Sequence, residues 1–470
     1  MEQKTNPIHI VMFPWLAFGH FNPFIQLSNN LSKDKTIKIS FISTPANITR
    51  ISSTLSSTVQ IIPIKLSHVD GLPPGVENTS EMTLQQAELL KKAVDNMKPQ
   101  IETLLTHLHP HIIFHDFCHQ WLPSIATPLS IKTFFFSVLN ATLLAYAAVP
   151  SRLVFPQNIP TLEDLKNPPP GFPNTCVAAL SAYEARDLLY NFKNFGGPSG
   201  YERIVSTMKN SSAILLKTCM EMEAPYIEFF KAQYGKPVLL AGPVVPQPPT
   251  GALDQRWADW LDQFPEKSVI YCAFGSESFL EDDQIREVVL GLEMVGLPFL
   301  VVLNFPNGED KVARLKAALP EGFEERVKDR AVVHTGWVPQ QHILAHVSVG
   351  CFVSHAGMSS LAEALVSDCP LVLLPQKADQ FLNSKLVSGD MKAAVEVKRD
   401  EETGYFGKED LCTAVKAVTE WVEEEPWKTM RENHRKWRDF LRDADVHENY
   451  FKGFVEEMKG MVYGDDGMQA

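Results

Sequence analysis

Short apolar runs alternate along this chain with stretches of helical spacing. The first run, Ile8 to Phe13, is closed by Pro14 and Gly19 and followed by FNPFIQLSNNL, which makes a strand, a turn and a helix. KISFIST (38–44), VQIIPI (59–64), HIIFHDF (111–117), TFFFS (133–137), AILLKTC (213–219) and PVLLAGP (237–243) continue the series. Such alternation predicts a largely parallel sheet with helices on its faces. After the proline-rich stretch GPVVPQPPTGALDQ the same logic restarts: SVIYCAFGS (268–276), a helix from about Asp282 to Met294, FLVVLNF (299–305), AVVHTGW (331–337), Val349 to Ser354 and Leu371 to Leu374. The expectation is an α/β protein of two doubly wound domains, residues 1–242 and 257–439, joined by a linker at 243–256 and facing each other across a crevice. Residues 152–198, rich in Pro, Gly and Asn, read as loops and short helices over one face. Beyond Leu411 the chain is helical and charged, and the final YGDDGMQA reads as a frayed end.

Composition narrows the class. A chain of 470 residues with 45% hydrophobic content buries sizeable cores. A net charge of −13 argues against nucleic acid or an anionic membrane as partner, although a small anion needs only local donors such as a helix N-terminus. Seven cysteines at irregular spacing, with no CxxC, suit reduced cytoplasmic thiols, and no signal peptide is indicated at the start. The uncharged window Thr133 to Ser151 contains Ser137, Asn140, Thr142 and Pro150, so it reads as soluble core and not as a membrane span.

Several signatures are missing: GxGxxG after a strand, a phosphate loop, GxSxG and HExxH. Asp443 and Asp445 form an Asp-x-Asp pair, read as the solvated face of a charged helix. The run THLHPHIIFHDFCHQW holds His107, His109, His111, His115 and His119, but it straddles a helix end, a strand and a loop and does not converge on a metal. Its Asp116 stands where one strand ends, and His20 closes the turn after another. His20 is either an exposed or capping histidine or a general base oriented by Asp116; a base and acid without an adjacent nucleophile suit deprotonation of an acceptor hydroxyl.

The densest group of polar candidates lies in GWVPQQHILAHVSVGCFVSHAGMSSLAEALVSDCPLVLLPQKADQ, residues 336–380. Ser360 and Glu363 form a capping-box pattern, or else the helix starting at Ser359 and Ser360 offers its N-terminus to a diphosphate while Glu363 accepts from ribose. His355 can donate to the same phosphates. Trp337 is either core or a platform for a nucleobase, and Asp379 and Gln380 can meet sugar hydroxyls.

Together these residues resemble the signature box of plant UDP-dependent glycosyltransferases of the family 1 type. The matching positions are Trp337, Pro339, Gln340, His355, Gly357, Ser360, Glu363, Pro375, Asp379 and Gln380, and the GHFNPF turn with His20, the HDF around Asp116 and the CAFGS segment ending in Ser276 extend the resemblance over essentially the whole chain. The resemblance implies the GT-B architecture of two Rossmann-like domains, with a C-terminal helix at about 440–462 crossing back onto the first. It also implies roles. Trp337 stacks uracil; Gln340 and Glu363 hold ribose; His355, Ser360 and Ser276 bind diphosphate, with Gly19, Val338, Gly357 and Ser359 also at the donor; Asp379 and Gln380 hold the sugar. His20 and Asp116 form the base pair of an inverting displacement, and no metal or other cofactor is required. By position, Phe18, Phe21, Trp121, Phe136, Asn140 and Ala378 are the expected acceptor wall, with plain core as the alternative for the aromatic ones. Ala356, Met358 and Ser359 depart from the family's Cys, Trp and Asn, which leaves the donor sugar open. HVDGLPPGVENTSEMT, LVSDCP and EETGYFGKEDL resemble the subgroup that extends the sugar of an existing flavonoid or terpenoid glycoside. The expected partners are a UDP-sugar and a small acceptor, bound by a monomer. Transfer to an aglycone hydroxyl, a UDP-sugar epimerase or hydrolase, and a silent nucleotide-sugar binder are the alternatives.

Overall fold

The computed structural model describes residues 7–464 apart from 153–158, 178, 247, 277, 306–309 and 422. Of the end read above as frayed, 463–470, Tyr463 instead closes the last helix with Gly464 as its cap, and 465–470 lie outside the described residues. Seven strands form the first sheet: β1 (Ile8–Phe13), β2 (Ile37–Ser43), β3 (Gln60–Pro63), β4 (Ile112–His115), β5 (Lys132–Ser137), β6 (Ala213–Leu216) and β7 (Val238–Leu240), in the order β3-β2-β1-β4-β5-β6-β7. Six form the second: β8 (Val269–Ala273), β9 (Phe299–Val302), β10 (Ala331–His334), β11 (Val349–Ser354), β12 (Leu371–Leu373) and β13 (Ala394–Glu396), in the order β10-β9-β8-β11-β12-β13. Every pairing is parallel. The strand β13 has no counterpart among the runs read from sequence. It is three residues long at a sheet edge, too short for periodicity to register.

β1, β4, β8 and β11 are buried at every position, as strands covered on both faces must be. In each sheet the chain reverses its direction of winding between the first and fourth strands. That reversal leaves a gap at the carboxyl edge where no helix crosses. Seven helices bear on what fills it: α1 (Phe18–Leu31), α2 (Ala141–Ala147), α3 (Ala182–Leu188), α4 (Met358–Leu365), α5 (Asp379–Lys385), α6 (Trp427–Arg442) and α7 (Ala444–Tyr463).

The two halves share one apolar core. Buried side chains run without interruption from Tyr146, Leu188 and Tyr226 in the first half to Leu361, Leu382 and Val387 in the second. Polar contacts cross the same seam: Asn140 Nδ2 donates to Asn383 Oδ1 at 2.8 Å, and Lys385 pairs with Glu184 at 3.1 Å. α7 lies against the first sheet, with Phe454 and Met458 in its core and Lys459 Nζ 2.7 Å from Asp34. Asp443 stands in the break between α6 and α7, where it accepts the Asp445 N–H at 2.9 Å. The Asp-x-Asp pair therefore ends one helix and caps the next; it does not decorate a helical face. Among the described residues no helix is long and apolar enough to cross a membrane.

Candidate functional site

The first half supplies an oriented histidine. β1 and β4 are neighbours in register, Phe13 opposite His115, so the residues just beyond each strand emerge side by side. Beyond β4 stands Asp116; beyond β1 the chain turns into α1, whose third residue is His20. Asp116 Oδ2 accepts from His20 Nδ1 at 2.7 Å and from the Trp15 N–H at 3.2 Å, while Oδ1 accepts the Phe117 N–H at 2.7 Å. Burial alone would raise this carboxyl, but the charge and hydrogen bond of His20 and the Phe117 amide outweigh it and hold Asp116 below the ordinary carboxylate range. An ionised Asp116 only accepts, so the proton in this bond sits on Nδ1 of His20, and in the neutral imidazole the lone pair is then on Nε2. The imidazole is 19% exposed against 2% for Asp116, so the basic nitrogen is the part that solvent or a substrate reaches.

The rest of the histidine-rich run scatters. His115 Nε2 meets Ser211 Oγ at 3.1 Å, His119 stacks on Phe13 at 4.0 Å, and His111 Nδ1 accepts the His9 N–H. Among the described residues no three His, Cys, Asp or Glu side chains gather as a metal set.

The second half supplies donors and acceptors around α4. This helix begins at Met358 with Gly357 as N-cap and no side chain capping it. The capping-box alternative for Ser360 and Glu363 is thereby corrected, because Glu363 turns to other partners. Gln340 Nε2 donates to Glu363 Oε2 at 2.6 Å and to Ser360 Oγ at 3.1 Å, and Gln341 Nε2 donates to Glu363 Oε1 at 3.1 Å. The first-turn amides of α4 stay open, as anion binding at a helix N-terminus requires.

His355 is held between two glycines. A Cβ at Gly275 would stand 2.9 Å from its ring, and one at Gly357 would stand 2.5 Å from Nε2, so neither position accepts a side chain without displacing the imidazole. Gly275 also adopts φ +75°. Burial pushes His355 down to about 4, which keeps it neutral at pH 7 with one N–H to give. Ser276 and Ser359 are exposed beside it, Val338 is buried, and Trp337 is 82% exposed at the rim. So large an apolar side chain left open is a ready stacking platform.

α5 begins with Asp379 and Gln380. Asn383 Nδ2 donates to Asp379 Oδ2 at 2.9 Å, and Gln380 Nε2 donates to Ser278 Oγ at 3.0 Å, which links α5 to the loop after β8. Burial pushes the Asp379 carboxyl up, and the groups pulling it back include His20 from the opposite half. Asp379 thus lies within electrostatic reach of His20 across the seam. At the other end of the cleft a cavity of about 1060 Å³ is walled by Gln26, Pro243, Val245, Gln341 and Glu363.

Of the proposed acceptor wall, Phe21 and Phe136 are 0% and 1% exposed. Phe21 is a core side chain whose truncation would cost about 3–5 kcal/mol of fold, whereas Phe136, though buried, also lines the cavity of about 1060 Å³. Asn140 caps α2 by accepting the Leu143 N–H and spends its amide nitrogen on Asn383. Phe18, Trp121 and Ala378 are half-buried, Gly19 is exposed, and Phe117 joins them with its ring 5.8 Å from that of His20.

Sequence reasoning passed over Asn304. Its Nδ2 donates to the Gly275 carbonyl and its Oδ1 accepts the Gly336 N–H, both at 2.9 Å, so it ties the diphosphate-side loop to the loop carrying Trp337. A polar residue directly after the apolar run FLVVL was the available signal.

Two parallel sheets whose halves share a core, with a carboxylate-held histidine at one and an open helix N-terminus at the other, suit a group-transfer enzyme. A family profile described as "UDP-glucoronosyl and UDP-glucosyl transferase" matches residues 199–429. The chain is 54% identical to an anthocyanidin-3-O-glucoside rhamnosyltransferase of Petunia hybrida over 98% of both chains. It is 38% identical to an anthocyanidin 3-O-glucoside 2''-O-glucosyltransferase of Ipomoea purpurea, over 98% of this chain and 100% of the relative. In structure it resembles Glycyrrhiza uralensis UGT73P12, solved in complex with glycyrrhetinic acid 3-O-monoglucuronide, with a TM-score of 0.75 at 23% identity over 97% and 96% of the two chains. This chain belongs to the UDP-glycosyltransferase family, and its fold is GT-B.

Proposed function

We propose that this enzyme moves a sugar from a UDP-sugar to a hydroxyl on the sugar of a flavonoid or related plant glycoside, with inversion at the anomeric carbon. The observation that carries the reading is the 2.7 Å His20–Asp116 pair, which holds the imidazole by Nδ1 and leaves Nε2 free of that contact on a partly exposed side chain. In the reaction the acceptor oxygen attacks the anomeric carbon, its proton passes to Nε2, and the bond to the diphosphate breaks with its electrons leaving on UDP. The open first turn of α4, neutral His355, Ser276 and Ser359 receive that charge. Gln340 and Glu363, already aligned, meet the ribose; Trp337 stacks the uracil; Asp379 and Gln380 meet the donor sugar. Phe18, Trp121, Phe117 and Ala378 wall the acceptor.

The glycoside acceptor is supported by the names of both relatives, each of which describes extension of an anthocyanidin 3-O-glucoside. Those names carry rhamnose and glucose, so the donor is read from experiment. All seven cysteines are unpaired, which supports a cytoplasmic location. A matrix of UDP-glucose, UDP-rhamnose and UDP-xylose against flavonoid aglycones and their 3-O-glucosides, with mass detection of product, tests the proposal. A product heavier by one sugar on a glycoside is expected. Transfer to aglycones alone, donor consumed without acceptor, or UDP binding without turnover would each replace it.

A further inference from the structure

The donor-sugar loop, residues 375–378, is held from both halves of the molecule. Within its own half, Gln380 Oε1 accepts the N–H groups of Gln376 and Lys377 at 2.9 and 3.1 Å. The next amide, that of Ala378, is accepted by Asp187 Oδ2, which comes from α3 of the first half. Ala378 sits at φ 51°, ψ −124°, a conformation a non-glycine residue keeps only when its surroundings impose it. The turn at Ala378 aims Asp379 and Gln380, so whatever fixes that amide fixes both side chains.

Asp187 does not act alone. α3 is nucleated by a capping box, with Ser181 N–H to Glu184 Oε2 at 2.7 Å and Glu184 N–H to Ser181 Oγ at 3.3 Å. One turn before Asp187, Tyr183 donates its OH to the Gln376 carbonyl at 3.3 Å and sets its ring edge-on to Phe381 at 5.4 Å. The same ring lies against Gly404, where a Cβ would be 2.3 Å away and φ is +75°. Gly404 belongs to EETGYFGKEDL, a segment to which the transfer chemistry assigned nothing. Arg399 closes the arrangement, donating to the carbonyls of Pro375 at 2.7 Å and Gly404 at 2.8 Å. Asp187 is half-buried; burial pushes its carboxyl up, and the Ala378 amide and Lys377 pull it back.

The geometry points to α3 as a brace on the donor-sugar loop, with Asp187 as the positioning residue that holds Asp379 and Gln380 in place once the two halves meet. The inference rests on the reading that Asp379 and Gln380 hold the donor sugar. It makes the sugar end of the donor site complete only in the joined molecule, while the UDP end is built by the second half alone.

The test compares D187A, D187N, Q380A and the wild type with the preferred of UDP-glucose, UDP-rhamnose and UDP-xylose, alongside calorimetric binding of UDP. D187A is expected to lose about tenfold or more in kcat/KM for the UDP-sugar, with the Kd for UDP within twofold. In D187N the amide oxygen can accept the same N–H, and activity within about threefold of wild type is expected. Equal losses for UDP and UDP-sugar with a lowered Tm would show a general structural role and overturn the brace. So would wild-type kinetics in D187A, or a D187N no better than D187A. Wild-type kinetics in Q380A would instead remove the underlying reading; a defective Q380A beside a normal D187A removes the brace alone.

Discussion

His20 Nδ1 and Asp116 Oδ2 lie 2.7 Å apart although 96 positions separate the two residues in the chain. The parallel pairing of β1 with β4 brings them together, and Asp116 is further fixed by two backbone amides. The pair acts as a unit. H20A should lower kcat by about 10²- to 10⁴-fold, and D116N, which removes the charge that selects the tautomer, should fall in the same range. The double variant should be no more than about threefold worse than H20A, since residues that act together are not additive. Steady-state kinetics of the three variants decide it; multiplied losses would mean that the two residues serve separate steps.

Trp337 is 82% exposed, so the fold gains little from its ring. W337A should leave the denaturation midpoint almost unchanged, a surface change of about 0.5 kcal/mol or less. UDP affinity should weaken by about 1–3 kcal/mol if the ring stacks the uracil. Calorimetry with UDP reads the second quantity, and an unchanged Kd would reassign Trp337.

Gly357 has an ordinary φ of −66°, so G357A tests contact alone. Its Cβ would fall 2.5 Å from His355 Nε2 and must push the ring aside. A loss of roughly 1.4–2.8 kcal/mol in kcat/KM, ten- to a hundredfold, with unchanged circular dichroism is expected. G453A, in α7 with nothing within 4 Å of its Cβ, is the control and should be neutral or slightly stabilising.

His434, on α6 and set against Ala364 and Leu365 at the end of α4, reports on pH. Burial pushes it down to about 4. A lowered histidine stays neutral in the folded chain while the unfolded chain takes up a proton below about 6.5, so its contribution is fully present above that value and is lost as pH falls towards 4. His115, at about 4, and His119, at about 3, run the same way. Asp187, Asp379 and Glu396, which burial pushes up, run the opposite way, so a difference measurement is needed. Between pH 6.5 and 4, H434Q should gain on the wild type by about 1.4 kcal/mol per pH unit in urea unfolding. A parallel pair of stability curves would show that His434 titrates normally.

Much of the fold is visible in the pattern of the chain. Runs such as IHIVMF and VGCFVS are apolar throughout because both faces of a parallel strand are covered, and each ends where a polar residue must emerge. Ala394–Glu396 was invisible because its pairing, and not its composition, makes it a strand. The Ser360-x-x-Glu363 spacing fits two structures equally well; it was decided by Gln340 and Gln341, which reach Glu363 from another element. Phe21 carried the composition of a pocket wall but points into the first core, a matter of helix facing that aromatic content does not report.

The local order of residues therefore determined the elements, the sheet class and the polar positions at strand ends, because period and turn chemistry are local properties. Tertiary structure decided which of those ends share a space. It set His20 against Asp116, closed two glycines on His355, and brought Asp187 onto the Ala378 amide. Those relations depend on strand order and on the seam between the halves, which are long-range packing outcomes that no window of sequence contains.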